Sequence, residues 1–111
     1  MTHSLLQELL DKQSDMQKTY FPKLQDLSIE EQLLINTRAI IHETVEVERE
    51  LNWKHWKKPT LVNYDSIANE VVDQFIFLIN EINICGMNAV EVFDRTMRKI
   101  NVNIERQKSG Y

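Results

Sequence analysis

Apolar residues near the start of the chain recur at helical intervals: Leu5, Leu6, Leu9, Leu10 and Met16 gather on one side of a 3.6-residue spiral. Pro22, which restricts Phe21 before it, ends that pattern and predicts a first helix over residues 3–20. Ser28 followed by Glu31 forms a capping box, and nothing interrupts the helical pattern until the "NWKHWKKP" turn, where Pro59 stops any continuation. A second helix is therefore predicted from Ile29 to about Asn52. After "PTLVN", the segment "YDSIANEVVDQFIFLINEIN" reads as a third helix, capped by Asp65 or Ser66 and followed by Gly86. Its middle is apolar nearly all round, which makes it the central element. Asn88 with Glu91 opens a fourth helix, "AVEVFDRTMRKINVNIERQ", that frays into "KSGY". No internal repeat, low-complexity tract or linker appears, so residues 1–111 read as one domain, an all-α compact four-helix unit.

Composition adds a partner and removes several others. With 42% hydrophobic residues in 111 positions, the core is modest. Leu34, Ile41 and Val45 form a second apolar stripe on the second helix, which a lone unit has difficulty covering. The expectation is a homodimer, with a tetramer as the alternative, whose sites borrow residues across the interface. The net charge of -4 disfavours nucleic acid as a partner. Cys85 stands alone, and charges interrupt the opening "MTHSLLQELLDKQ", so neither a disulfide nor a signal peptide is expected. The longest apolar run, "FIFLINEINICGM", is too short to span a bilayer, and no membrane role is expected. The reading is a soluble protein of a reducing cytoplasm.

The chemistry lies in the acids. At about 100° per residue, Glu43, Glu46 and Glu50 fall within roughly 60° of one another, bordering the apolar sector of the second helix. Glu70 and Asp73 repeat the arrangement in the third helix, among apolar neighbours. Ionised carboxylates in such surroundings are costly unless a cation neutralises them. Lysine or arginine partners are one solution. The other is a divalent ion held between two antiparallel helices, each donating an i, i+3 pair of hard oxygen ligands, which suits Mg²⁺ with Mn²⁺ as the alternative. Zinc is disfavoured, because His3, His42 and His55 have no ligand spacing with Cys85.

Glu43 and Glu46 as ExxE, then Glu70 and Asp73 as ExxD, resemble the metal-binding signature of the all-α nucleoside triphosphate pyrophosphohydrolases, a MazG-like superfamily. "NWKHWKK", "EVVDQFIFLI" and the closing "KINVNIERQKSGY" further resemble the dimeric dUTPases. That resemblance implies hydrolysis of dUTP between its α and β phosphates, with Glu43, Glu46, Glu70 and Asp73 binding Mg²⁺ and Glu46 also orienting the attacking water. It implies that Lys99, Asn103 and Arg106 contact sugar and phosphates, and their i, i+4, i+7 spacing independently makes them one polar stripe. Gln13 and Gln17 continue an apolar stripe with Leu6 and Leu10, and a carboxamide there offers the donor and acceptor that a uracil edge needs. By the resemblance Gln13 reads the base. The position of Gln17 is more often Asn or Asp, which leaves dUTP against dCTP open. Trp53 and Lys54 would supply a flat wall and positive charge beside the nucleotide. Short of an enzyme, the same acidic face would suit a helical interaction protein that binds a basic partner.

Overall fold

A computed structural model describes residues 4–110, which form α1 (Leu5–Tyr20), α2 (Ile29–Arg49), α3 (Tyr64–Ile84) and α4 (Ala89–Lys108). A 3-10 turn at Pro22–Asp26, which the hydrophobic pattern did not disclose, joins the first two helices. The fold is all-α, with no strand among the described residues. The expected start of the first helix at residue 3 lies outside the described residues. Ser4 acts as its cap, with Oγ accepting from Gln7 N at 3.2 Å.

The local signals place most of the ends. Ser28 Oγ accepts from Glu31 N at 3.1 Å, and Asn88 Oδ1 accepts from Glu91 N at 2.9 Å. Gly86 adopts φ +73°, the left-handed turn in which a Cβ is strained. Two boundaries differ from expectation. The cap of α3 is Asn63, whose Oδ1 accepts from Ser66 N at 3.1 Å, not Asp65 or Ser66, which already lie within the helix. α2 ends at Arg49, three residues before Asn52, because Glu50 N and Leu51 N bond to carbonyls three residues back and tighten the chain into turns.

α3 is central: α2 packs along one side of it and α1 along another. Its C-terminal half meets α1 in a small core of Leu10, Ile79 and Ala89, with Leu6 and Ile82 against them. α4 turns away from α3 by 107° and rests mainly on α1. Gln7 Oε1 anchors its first turn by accepting from Ala89 N at 2.8 Å. No single described helix is long and apolar enough to cross a membrane.

Candidate active site

The register between α2 and α3 builds the site. As α2 advances through Asn36, Thr44 and Glu50, its hydrogen-bond partners on α3 retreat through Asn80, Gln74 and Ser66, at 3.0, 3.0 and 2.6 Å. This antiparallel ladder of polar contacts sets the middle of α2 beside the first half of α3. Glu43, Glu70 and Asp73 consequently meet, with one carboxylate oxygen from each lying within 4.8 Å of the others. Glu43 and Glu70 are half-buried and Asp73 is exposed.

Among the described residues, no lysine or arginine pairs with any of these three. Glu46, expected in the same set, lies on this face but its Oε1 is 3.3 Å from Arg49 Nη1. Glu50, on the same acidic face of α2, lies outside the ExxE signature. Its Oε1 accepts from Ser66 Oγ, while its buried Oε2 has no hydrogen-bond partner. An orphaned buried carboxylate oxygen is costly, and its position two turns beyond Glu43 was the signal available in sequence.

Glu70 carries the electrostatic mark of this crowding. Burial pushes its carboxyl above the ordinary 4.5, and the neighbouring charges of Asp73, Glu50, Glu43 and Glu46 push it further the same way. Below pH 4.5 the group is neutral whether the chain is folded or not, so it costs nothing. As pH rises past 4.5 the unfolded chain releases this proton first, and folding is disfavoured until Glu70 ionises in the fold as well. Glu70→Gln should therefore melt above the parent in metal-free buffer, by a margin that grows as pH rises from 4.5. Melting curves taken from pH 4 to 7 would show it; a margin independent of pH would contradict this account.

Carboxylates suit a hard divalent ion, and two ligands of one Mg²⁺ stand at most ~4 Å apart, twice the metal–oxygen distance. The trio, already within 4.8 Å, would have to close further to reach the ~3 Å of adjacent ligands in an octahedral site, a movement within the reach of carboxylate rotamers. The orphaned Glu50 oxygen adds a further donor on the same face.

On the side of this cluster toward the start of α2 lies a cavity of about 180 Å³, lined by Gln17, Gln32, Asn36, Asn80 and Asn83 together with Ile35. Its amides are linked: Gln13 Nε2 donates to Asn80 Oδ1 at 2.9 Å, Asn80 Nδ2 to Asn36 Oδ1 at 3.0 Å, and Asn36 Nδ2 to the Gln32 carbonyl at 2.8 Å. Gln17 thus faces the cavity, while Gln13 supports it through Asn80. On the other side, at the end of α2, a cleft is lined by Arg49, Trp53, Lys54, Lys57 and Lys58. Asn52 closes this loop by bonding both the N–H and the carbonyl of Thr60 at 2.9 Å. The Lys54 ammonium sits 5.3 Å from the Trp53 ring centre, and Trp53 meets Trp56 edge-on at 5.9 Å. Amide cavity, carboxylates and cationic loop succeed one another along α2.

A sequence model of the dUTPase family matches residues 5–83. The chain belongs to that family. Curated proteins and solved structures yield no match. The dUTPase match covers all three features just described and ends before α4. Lys99, Asn103 and Arg106 therefore lie outside it, on the exposed part of α4. At 1.5 Å per residue, Asp73 is about 16 Å before the end of α3 and Lys99 about 15 Å into α4. With the 107° bend, Lys99 is on the order of 20 Å from the carboxylates of its own chain, beyond the reach of a lysine side chain.

Proposed function

We propose that this dUTPase-family chain hydrolyses dUTP to dUMP and pyrophosphate with Mg²⁺, or Mn²⁺ in its place, as a homodimeric MazG-like enzyme of the cytoplasm. The observation that carries the reading is the meeting of Glu43, Glu70 and Asp73 with no cationic partner among the described residues, beside a buried Glu50 oxygen that likewise has no hydrogen-bond partner among them. Glu43, Glu46, Glu70 and Asp73 would hold the metal. Bound there, the ion would withdraw charge from the phosphate oxygens and acidify a water molecule.

The chain's own residues do the rest. Gln17, and Gln13 through Asn80, present amide groups to the base in the cavity. Glu46, oriented by Arg49, positions the water and takes its proton as the water oxygen bonds to the α-phosphorus. The bond from that phosphorus to the oxygen bridging to the β-phosphate breaks, and pyrophosphate leaves with the oxygen. Lys54 with Trp53 lies where the departing phosphates need positive charge. Lys99, Asn103 and Arg106 would approach the phosphates of another copy's site, since their own is out of reach.

Pyrophosphate release measured over the common nucleoside triphosphates with Mg²⁺ tests the reading. A clear preference for dUTP is expected, and equal turnover of all of them would overturn it. Because an amide can rotate to present the opposite donor and acceptor pattern, dCTP is the nearest rival substrate. Gln17→Ala is expected to change the ratio of kcat/KM for dUTP over dCTP by about tenfold while leaving the Mg²⁺ dependence as it was.

A further inference from the structure

The amides around the cavity beside α2 share one orientation, and the backbone sets it. Turned over, a carboxamide keeps its shape and exchanges donor for acceptor, so a free one accepts either kind of ligand edge. Several of those lining this cavity are not free. Gln32 Nε2 donates to the Leu27 carbonyl at 2.9 Å, Asn36 Nδ2 to the Gln32 carbonyl at 2.8 Å and Asn83 Nδ2 to the Leu10 carbonyl at 2.9 Å. A backbone carbonyl can only accept, so each of these side chains is held through its nitrogen. Asn80 takes the same sense from Asn36, and Gln13 takes it from Asn80.

Turning one of these amides over would set oxygen against oxygen. Leu10, Asn80 and Asn36 are 1%, 6% and 9% exposed, so water does not replace a lost partner there. Such a loss depopulates the turned form by roughly tenfold to a hundredfold. The oxygens differ in what is left to them. Those of Asn36 and Asn80 already accept from neighbouring amides, whereas Asn83 Oδ1 and Gln32 Oε1 have no hydrogen-bond partner among the described residues. Of these two, Asn83 is the one anchored in the core, on the buried Leu10. One turn earlier on α3, Asn80 Nδ2 gives one hydrogen to Asn36 and keeps a second. A fixed acceptor thus stands beside a fixed donor.

With the base placed in this cavity as proposed above, we infer that Asn83 determines specificity: its oxygen, held by the Leu10 carbonyl, accepts the N3–H of a uracil ring. Asn36 is the positioning residue that keeps Asn80 donating, toward a ring carbonyl. The ligand class selected is a ring with an N–H next to a C=O, the imide of uracil. Cytosine has a lone pair at N3 and would set acceptor against acceptor. Gln13, which the resemblance implies as base reader, is not among the lining residues and acts through Asn80.

Calorimetric binding of dUMP and 3-methyl-dUMP to the full chain tests this, because neither ligand carries the bond that the proposed reaction breaks. The two differ only at N3. The parent is expected to bind dUMP at least about tenfold more tightly than its methylated form. Asn83→Ala removes the acceptor and opens room for the methyl group, so it should weaken dUMP by about tenfold and bring the methylated ligand level with it or above. A purely structural role for Asn83 would weaken both ligands in proportion and overturns the proposal, as do equal affinities in the parent or an absence of dUMP binding. Should Asn83→Ala fail to fold, the parent is saturated with dUMP labelled with ¹⁵N at N3. A solvent-protected imino proton with a nuclear Overhauser contact to the Asn83 side-chain amide is expected, and an imino proton without that contact overturns the proposal. Selective binding without dUTP turnover overturns the reaction alone, and turnover without selective binding overturns the role of Asn83 alone.

Discussion

Asp73→Asn is expected to lower dUTP turnover by about a thousandfold or more while making the metal-free protein harder to melt. The two effects have one cause. Asp73 contributes one of the three carboxylate oxygens that approach within 4.8 Å, and after burial its charge is the next cause of the raised Glu70 carboxyl. An amide of nearly the same shape keeps the packing but removes a negative charge, so repulsion within the folded chain falls. The same exchange weakens any divalent ion between α2 and α3, and a site whose metal and water act as a unit loses nearly all its rate when one ligand fails. Steady-state pyrophosphate release at saturating Mg²⁺, beside melting curves in chelator, separates this from simple damage. A variant that loses both activity and stability would mean that Asp73 props the fold instead.

The second large effect lies in the amide cavity. Asn80 is 6% exposed and sits in the middle of a chain, accepting from Gln13 and donating to Asn36, itself 9% exposed. Asn80→Ala leaves the Gln13 N–H and the Asn36 oxygen without partners next to Leu10 and Ile79, which should cost on the order of 2–4 kcal/mol. For a chain of this length that corresponds to a fall in melting temperature of about 10 °C or more. Urea denaturation of Asn80→Ala, Asn36→Ala and the double variant gives the check. Because the first substitution already breaks the shared bond, the double variant should lose markedly less than the two singles together. Additive losses would show that the amides act separately and that the chain of bonds contributes little.

The sequence by itself determined the helices and most of their ends, because those depend on neighbours a turn away. Ser28 and Asn88 cap as expected, Gly86 supplies the left-handed turn after α3, and the i, i+3 acids necessarily share a face of their helix. The carboxylate cluster was legible for the same reason once the two helices were taken to be antiparallel. What the sequence left undecided was everything set by register and direction. Only the packing of α2 on α3 decides that Glu43 joins Glu70 and Asp73 while Glu46 turns to Arg49, since a small rotation about the α2 axis exchanges the two roles. The burial of one Glu50 oxygen, and the link from Gln13 to Asn80 across residues far apart in the chain, likewise exist only in three dimensions. The direction of α4 is the clearest case. Its polar stripe of Lys99, Asn103 and Arg106 was plain in the pattern of residues, but the 107° turn after Gly86 carries Lys99 away from its own carboxylates and leaves Val90 and Phe93 exposed. Periodicity fixes which face of a helix is apolar; the tertiary contacts fix what that face meets.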